Sequence, residues 1–371
     1  RRSGGRRWVT VVCVVVVLVL VDLAVGAVLT WTGMIWPADR GDVYLLEHEQ
    51  PGGPRPVAWQ DEPWAEDLMA SLIDYQSEEY HFEPYVQQVG YEFHSRYLNT
   101  TATERVSAQV PAPPGVDPVR VAFFGGSVVF GIGQRDAHTI PSAFARIAAD
   151  AGVPVEVHNF GYPRLVAWQE LLLFERRLAA GDEFDLVVFL DGFNEVYVQG
   201  EATSHDPTHH AAGALSDLIA DFRSERATTP GALDGLGELA ESYRRASGTW
   251  RIIDRVQGRR AALPGEDAAR GTPDEQLDAA LDVYARAADR IESLARRHEV
   301  PVRLFWQPQQ AGWPAEVLGR LPAGITDLSH VFDGREQELY FDPVHTNEEG
   351  ARLLAGAIWE SVGAQVAAAA D

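Results

Sequence analysis

The run Asp185-Leu186-Val187-Val188-Phe189-Leu190 constrains the fold more than any other stretch of the chain. An unbroken apolar segment of β-branched and aromatic residues suits a strand buried on both faces, and such strands belong to parallel sheets covered by helices on each side. Three more apolar runs, 119–124, 155–159 and 302–306, read as strands, and a fifth, short strand is expected at 324–328. Between them lie segments of helical spacing at 139–151, 166–180, 273–298 and 346–366. Thr139 is placed to cap the first, with Pro141 in its first turn; Gly181 ends the second; Asn347 and Glu348 open the last. The alternation predicts an α/β three-layer sandwich around a central parallel sheet of about five strands. Ligands bind such sheets at the C-terminal ends of the strands.

Four short motifs fall at those ends: Gly125-Gly126-Ser127, Asn159-Phe160-Gly161, Asp191-Gly192-Phe193-Asn194 and Asp342-Pro343-Val344-His345. A serine hydroxyl is a poor nucleophile until a base removes its proton. Glycines beside Ser127 let the chain turn sharply and let a substrate approach the backbone. A phosphate-binding loop is excluded, because no Gly-Lys-Ser/Thr follows and the chain contains no lysine. His345 is the candidate base, and Asp342, three residues before it, is placed to orient the ring. Taken alone, Asp342 could equally cap the last helix, and Asn194 could bond its own loop.

In this order the motifs resemble the SGNH (GDSL-type) hydrolase superfamily over residues 119–366. The signature letters fall on Ser127, Gly161, Asn194 and His345, with Asp342 preceding the histidine. The resemblance implies a flavodoxin-like SGNH fold and a Ser127–His345–Asp342 triad. It also implies an oxyanion hole made by the Ser127 and Gly161 backbone N–H groups and the Asn194 amide. Gly161 would be glycine because a side chain would crowd the substrate carbonyl. Gly126 stands where the family usually has aspartate, which loosens the match at that position. Asp191 and Glu195 flank Asn194 and are candidates to orient it. Trp306, Gln307 and Gln309, after the fourth strand, are the expected pocket residues. Neither a cofactor nor a metal is implied. The family's substrates are mostly acyl esters of glycans, lipids and thiols.

The N-terminal segment has a different character. Residues 8–30 form an apolar run rich in valine, with Asp22 as the one charge, long enough to span a bilayer. Arg1, Arg2, Arg6 and Arg7 precede it and Asp39, Asp42 and Glu47 follow, which puts the N-terminus in the cytoplasm and the body outside. Trp8, Trp31 and Trp36 lie at the two ends of the run. Asp22 is open to two readings: a contact with a partner membrane helix, or a side chain without a role. Cys13 is the sole cysteine, so no intrachain disulfide forms.

The domain expectation is a basic stub and transmembrane anchor at 1–36, an aromatic and acidic extension at 37–117, and the hydrolase domain at 118–371. Helical stretches at 214–226 and 236–245 belong to an insertion at 199–275, read either as a lid or as surface decoration. Aromatics from Tyr80 to Tyr97 are expected to pack on the catalytic domain, with a carbohydrate platform as the alternative. Asn99-Thr100-Thr101 matches a glycosylation sequon by pattern alone. The run His205-Asp206-Pro207-Thr208-His209-His210 is the one dense candidate for metal ligands, with a polar loop as the alternative. A net charge of −23 argues against nucleic-acid binding.

The reading is a membrane-anchored, outward-facing serine esterase acting on acyl esters of an envelope glycan or lipid. Its rivals are an acyltransferase with the same triad and a non-catalytic partner protein docked through Asp22.

Overall fold

The computed structural model describes residues 62–77, 86–200 and 272–370, together with 14, 16–28, 59, 81–83, 205–209, 243 and 247–250. The helical stretches expected at 214–226 and 236–245, most of the 199–275 insertion, Arg1 to Arg7, Cys13 and the three flanking tryptophans lie outside the described residues. The chain forms two compact units, Arg1–Gly53 with Gly213–Ala269, and Pro54–Ala212 with Arg270–Asp371.

The larger unit begins with α1 (Ala65–Ser77) and two short antiparallel pairs. These are β1 (His81–Glu83) with β2 (Gln87–Val89), and β3 (Phe93–His94) with β4 (Asn99–Thr100). There follow β5 (Val119–Gly125), α2 (Ser127–Phe130), α3 (Ile140–Asp150), β6 (Val155–Gly161), α4 (Ala167–Ala179), β7 (Leu186–Asp191) and α5 (Phe193–Tyr197). The chain ends with α6 (Pro273–Arg297), β8 (Val302–Trp306), α7 (Ala315–Leu318), β9 (Ile325–Asp327), α8 (Glu336–Leu339) and α9 (Glu348–Ala369). The central sheet has five strands in the order β6-β5-β7-β8-β9, and every pairing in it is parallel.

Alternation along β5 divides its side chains between two cores. Val119, Val121 and Phe123 pack with Phe144 of α3 and Leu354 and Ile358 of α9. Ala122 and Phe124 face the other way, toward Phe174 of α4 and Ile291 of α6. Every residue of β7 is buried, as its composition requires. Burying an aromatic or aliphatic side chain of this kind contributes about 1.5–3 kcal/mol. Thr139 caps α3 by accepting from Ser142 N, and Asn347 caps α9 by accepting from Gly350 N.

The strands run further than the apolar runs alone indicated: β5 continues through Gly125 and β6 through Gly161. Asn159-Phe160-Gly161 is therefore the last part of a strand and not the loop after it.

The aromatic segment before β5 packs on this framework. Tyr75 stacks on Tyr91 at 5.1 Å and on Phe130 of α2 at 5.3 Å. Trp59, Trp64, Tyr75 and Tyr91 are buried, and of the 80–97 stretch Phe93 and Tyr97 are half-buried. Asn99 of the sequon gives its side-chain N–H to Asp136 Oδ2 at 2.7 Å. Tyr80 and Tyr85 lie outside the described residues.

In the smaller unit residues 16–28 are helical. Asp22 accepts from Tyr243 OH at 2.8 Å, Thr249 N at 2.9 Å and Thr249 Oγ1 at 2.6 Å. Its described partners therefore belong to the same chain. Among the described residues no helix is long and apolar enough to cross a membrane.

Candidate active site

Ser127 opens α2, where a backbone N–H has no intrahelical acceptor. Its Oγ lies 2.7 Å from His345 Nε2. The other ring nitrogen, Nδ1, lies 2.5 Å from Asp342 Oδ2. The second Asp342 oxygen accepts from the backbone N–H groups of Val344 and His345, both at 2.6 Å. Burial alone would raise the Asp342 carboxyl. The His345 charge, its ring hydrogen bond and the two backbone N–H groups outweigh burial and hold it below the ordinary range. Asp342 and His345 are buried and Ser127 is half-buried, so the serine is the most accessible of the three.

Phe341 stacks on the His345 ring at 5.6 Å and 19°, and Trp59 stacks on Phe341 at 5.0 Å and 25°. Two further ties hold the serine segment to the histidine loop and to the preceding extension. Gln134 gives its side-chain N–H to Thr346 O at 3.0 Å. Arg105, fully buried, donates to Phe130 O at 2.7 Å, Gly131 O at 2.6 Å and Gln134 O at 2.6 Å. It also donates to Asp136 Oδ1 at 3.1 Å. Gln134 and Arg105 lie outside the four motifs, and a lone buried arginine has no sequence pattern that announces it.

Asn194 comes to the serine from β7 and α5. Its Nδ2 donates to Leu165 O at 2.7 Å, which engages one of its two N–H bonds. A Cβ on Gly126 would stand 2.3 Å from that nitrogen. Glycine at 126 is therefore what allows the Asn194 amide to lie against the nucleophile turn.

Gly161 departs from the expectation. Its N–H donates to Asn159 Oδ1 at 3.0 Å, so the donor foreseen for the oxyanion is already engaged. A Cβ at 161 would come within 2.4 Å of Phe130 N, so the close approach of α2 requires glycine there. Asn159, fully buried, completes this contact by donating to Val129 O at 2.9 Å. It was visible as the first letter of its motif, but its bridging role was not.

Of the three expected pocket residues, Trp306 belongs to the core, while Gln310 N donates to Pro343 O at 3.1 Å and brings the Gln307–Gln309 segment beside the histidine loop. Trp306 is fully buried in a core with Ala167, Leu281, Tyr284, Ala287 and Val317. Gln307 O accepts from Trp313 Nε1 at 2.7 Å, and Gln309 Nε2 donates to Gly312 O at 2.7 Å. Both side chains are buried among loop contacts. A strand that enters the core carries its last residues with it, which the sequence alone did not separate from a pocket wall.

Glu170, Asp191 and Glu195 form a buried acidic group whose oxygens lie within 4.8 Å of one another. Glu195 accepts from Ala167 N at 2.9 Å and Gly192 N at 2.6 Å. It thereby joins the start of α4 to the turn that carries Asn194. In the candidate histidine run, exposed His205 pairs with Asp282 of α6 at 3.1 Å, and His210 lies outside the described residues.

No family model and no curated protein matches the chain. Solved structures do. A lipase from a goat rumen metagenome is 12% identical, covering 66% of this chain and 97% of that one, with a TM-score of 0.37. An acetyl xylan esterase is 17% identical, covering 66% of this chain and 100% of that one, with a TM-score of 0.29. A lipolytic protein of the G-D-S-L family from Veillonella parvula is 13% identical, covering 65% and 97%, with a TM-score of 0.28. Likeness of this degree carries no argument about function, which rests on the geometry around Ser127.

Proposed function

We propose that the chain is a serine ester hydrolase of the SGNH type, acting through an acyl-serine intermediate. The observation that carries this reading is the continuous hydrogen-bonded line Ser127 Oγ–His345 Nε2–His345 Nδ1–Asp342 Oδ2. His345 takes the Ser127 proton as Oγ attacks the ester carbonyl carbon. The carbonyl oxygen becomes an oxyanion facing the Ser127 N–H and the remaining Asn194 N–H. Asp342 holds the ring in the tautomer whose Nε2 accepts, and stabilises the imidazolium that forms. The C–O bond to the alcohol then breaks, and His345 returns the proton to the leaving oxygen. Water repeats the sequence, its proton passing to His345, and releases the carboxylic acid and free Ser127.

On this proposal the body lies outside the cytoplasm on a tether formed by residues 8–30, which favours acyl esters of an envelope glycan or lipid as substrates. The apolar run and the arginines before it support this placement. A panel of chromogenic esters of increasing acyl length tests the activity, and protease added to intact spheroplasts tests the placement. Turnover of short esters with release of the domain is expected. No turnover on any ester would defeat the first reading, and complete protection from protease the second.

A further inference from the structure

Behind the Asn194 turn three carboxyl groups meet from three elements. Glu170 lies in the first turn of α4, Asp191 ends β7, and Glu195 lies on α5. They are 0%, 2% and 3% exposed. Tyr284 of α6 is the other titratable group facing them, its hydroxyl turned toward Asp191. Trp306, which ends β8, pairs with Asp191, and Gln307 after it donates its backbone N–H to Asp191 O at 2.8 Å; neither side chain carries a charge.

Glu195 has both oxygens engaged by backbone N–H groups. Glu170 and Asp191 differ: no N–H group of the described residues donates to either. An oxygen of each lies within 4.8 Å of the other. Two ionised carboxylates in contact away from water repel, and a proton between them turns the contact into a hydrogen bond. A divalent cation would offset the same charge, and a chelator distinguishes it from a proton.

We propose that Glu170 and Asp191 share one proton, and that this pair and Glu195 form a positioning unit that holds Asn194 to Ser127. The link is structural. Glu195 ties Ala167 N, at the start of the helix carrying Glu170, to Gly192 N, next to Asp191. Asn194 in turn holds Leu165 O, just before that helix. Removing the shared proton places a third full charge against Glu195 and loosens the seam on which Asn194 rests. Burial, and then the neighbouring carboxylates, push Glu170 and Asp191 well above the usual carboxylate range. Groups raised in this way favour the fold at low pH, and the contribution is lost as pH rises through the folded-state value.

The kinetic part rests on the hydrolase reading; the thermal part does not. The test compares wild type, Glu170→Gln and Asp191→Asn, each by Tm and by kcat and KM on one small ester, from about pH 7 to 10. Each profile is normalised to its own value at the lowest pH. Wild-type Tm is expected to fall with rising pH, and kcat to fall about tenfold or more at constant KM. Either amide variant flattens both curves. Wild-type slopes retained in both variants would overturn the shared proton. A flattened Tm curve with an unchanged fall in kcat would overturn the positioning role. A wild-type Tm lowered by EDTA and restored by calcium would assign the site to a cation instead.

Discussion

Gly126 and Asn194 occupy adjoining space so closely that one added carbon on the first would stand 2.3 Å from the amide nitrogen of the second. The absence of a side chain at 126 and the placement of the amide are one arrangement. Gly126→Ala is expected to push Asn194 away from Ser127 while leaving the sheet intact. An oxyanion donor of this kind is worth about 10² to 10³ in kcat. Steady-state kinetics with a parallel melting curve check this. Turnover within a few-fold of wild type at unchanged Tm would mean that Asn194 does not contact the oxyanion.

Asp342→Asn removes the carboxylate that orients His345, and kcat is expected to fall by about 10⁴. The same substitution has a consequence for stability. The folded Asp342 lies below its unfolded value, so its contribution is present above about pH 4 and is lost as pH falls through the folded value. The difference in unfolding free energy between wild type and variant is therefore constant at neutral pH and shrinks in acid. Urea titrations across the acid range measure it. A difference that grows in acid would contradict the assignment.

Trp59, Phe341 and His345 form a column of stacked rings, so a residue well before β5 supports the base. Trp59→Ala leaves a cavity behind Phe341 and is expected to cost about 3–5 kcal/mol. Trp59→Phe keeps a ring in the column and is expected to retain most of the stability. In both, the loss of activity should lie in kcat with KM little changed, because the column touches the base and not the substrate. A folded Trp59→Ala variant with wild-type kcat would separate the extension from the catalytic machinery.

Much of this was legible in the chain because local signals agreed. The apolar run ending at Leu190 marked a fully buried strand, and Thr139, Asn347 and the segment before Gly181 marked helix boundaries close to where they stand. Ser127, Asp342 and His345 come together because the turn after β5 and the loop before α9 meet beside the sheet. What was hidden depends on contacts between distant segments. Gly161 was read as making room for a substrate, yet it makes room for α2. Trp306 was read as a pocket wall, yet it closes a core with Tyr284. Arg105 reaches Phe130, Gly131 and Gln134 from a segment with no periodic pattern. The carboxyl group of Glu170, Asp191 and Glu195 is scattered over two helices and a strand, so no motif could show it.

The most direct test of the account is intact-protein mass spectrometry after exposure to a fluorophosphonate, with wild type, Ser127→Ala and His345→Ala compared. The serine that is hydrogen-bonded to His345 Nε2 at 2.7 Å is the one that should react. One adduct on wild type, mapping to the peptide that contains Ser127, is expected. Ser127→Ala should take none, and labelling of His345→Ala should be slowed by orders of magnitude. An unlabelled, folded wild type, or an adduct on another serine that persists in Ser127→Ala, would contradict the assignment of Ser127 as the nucleophile.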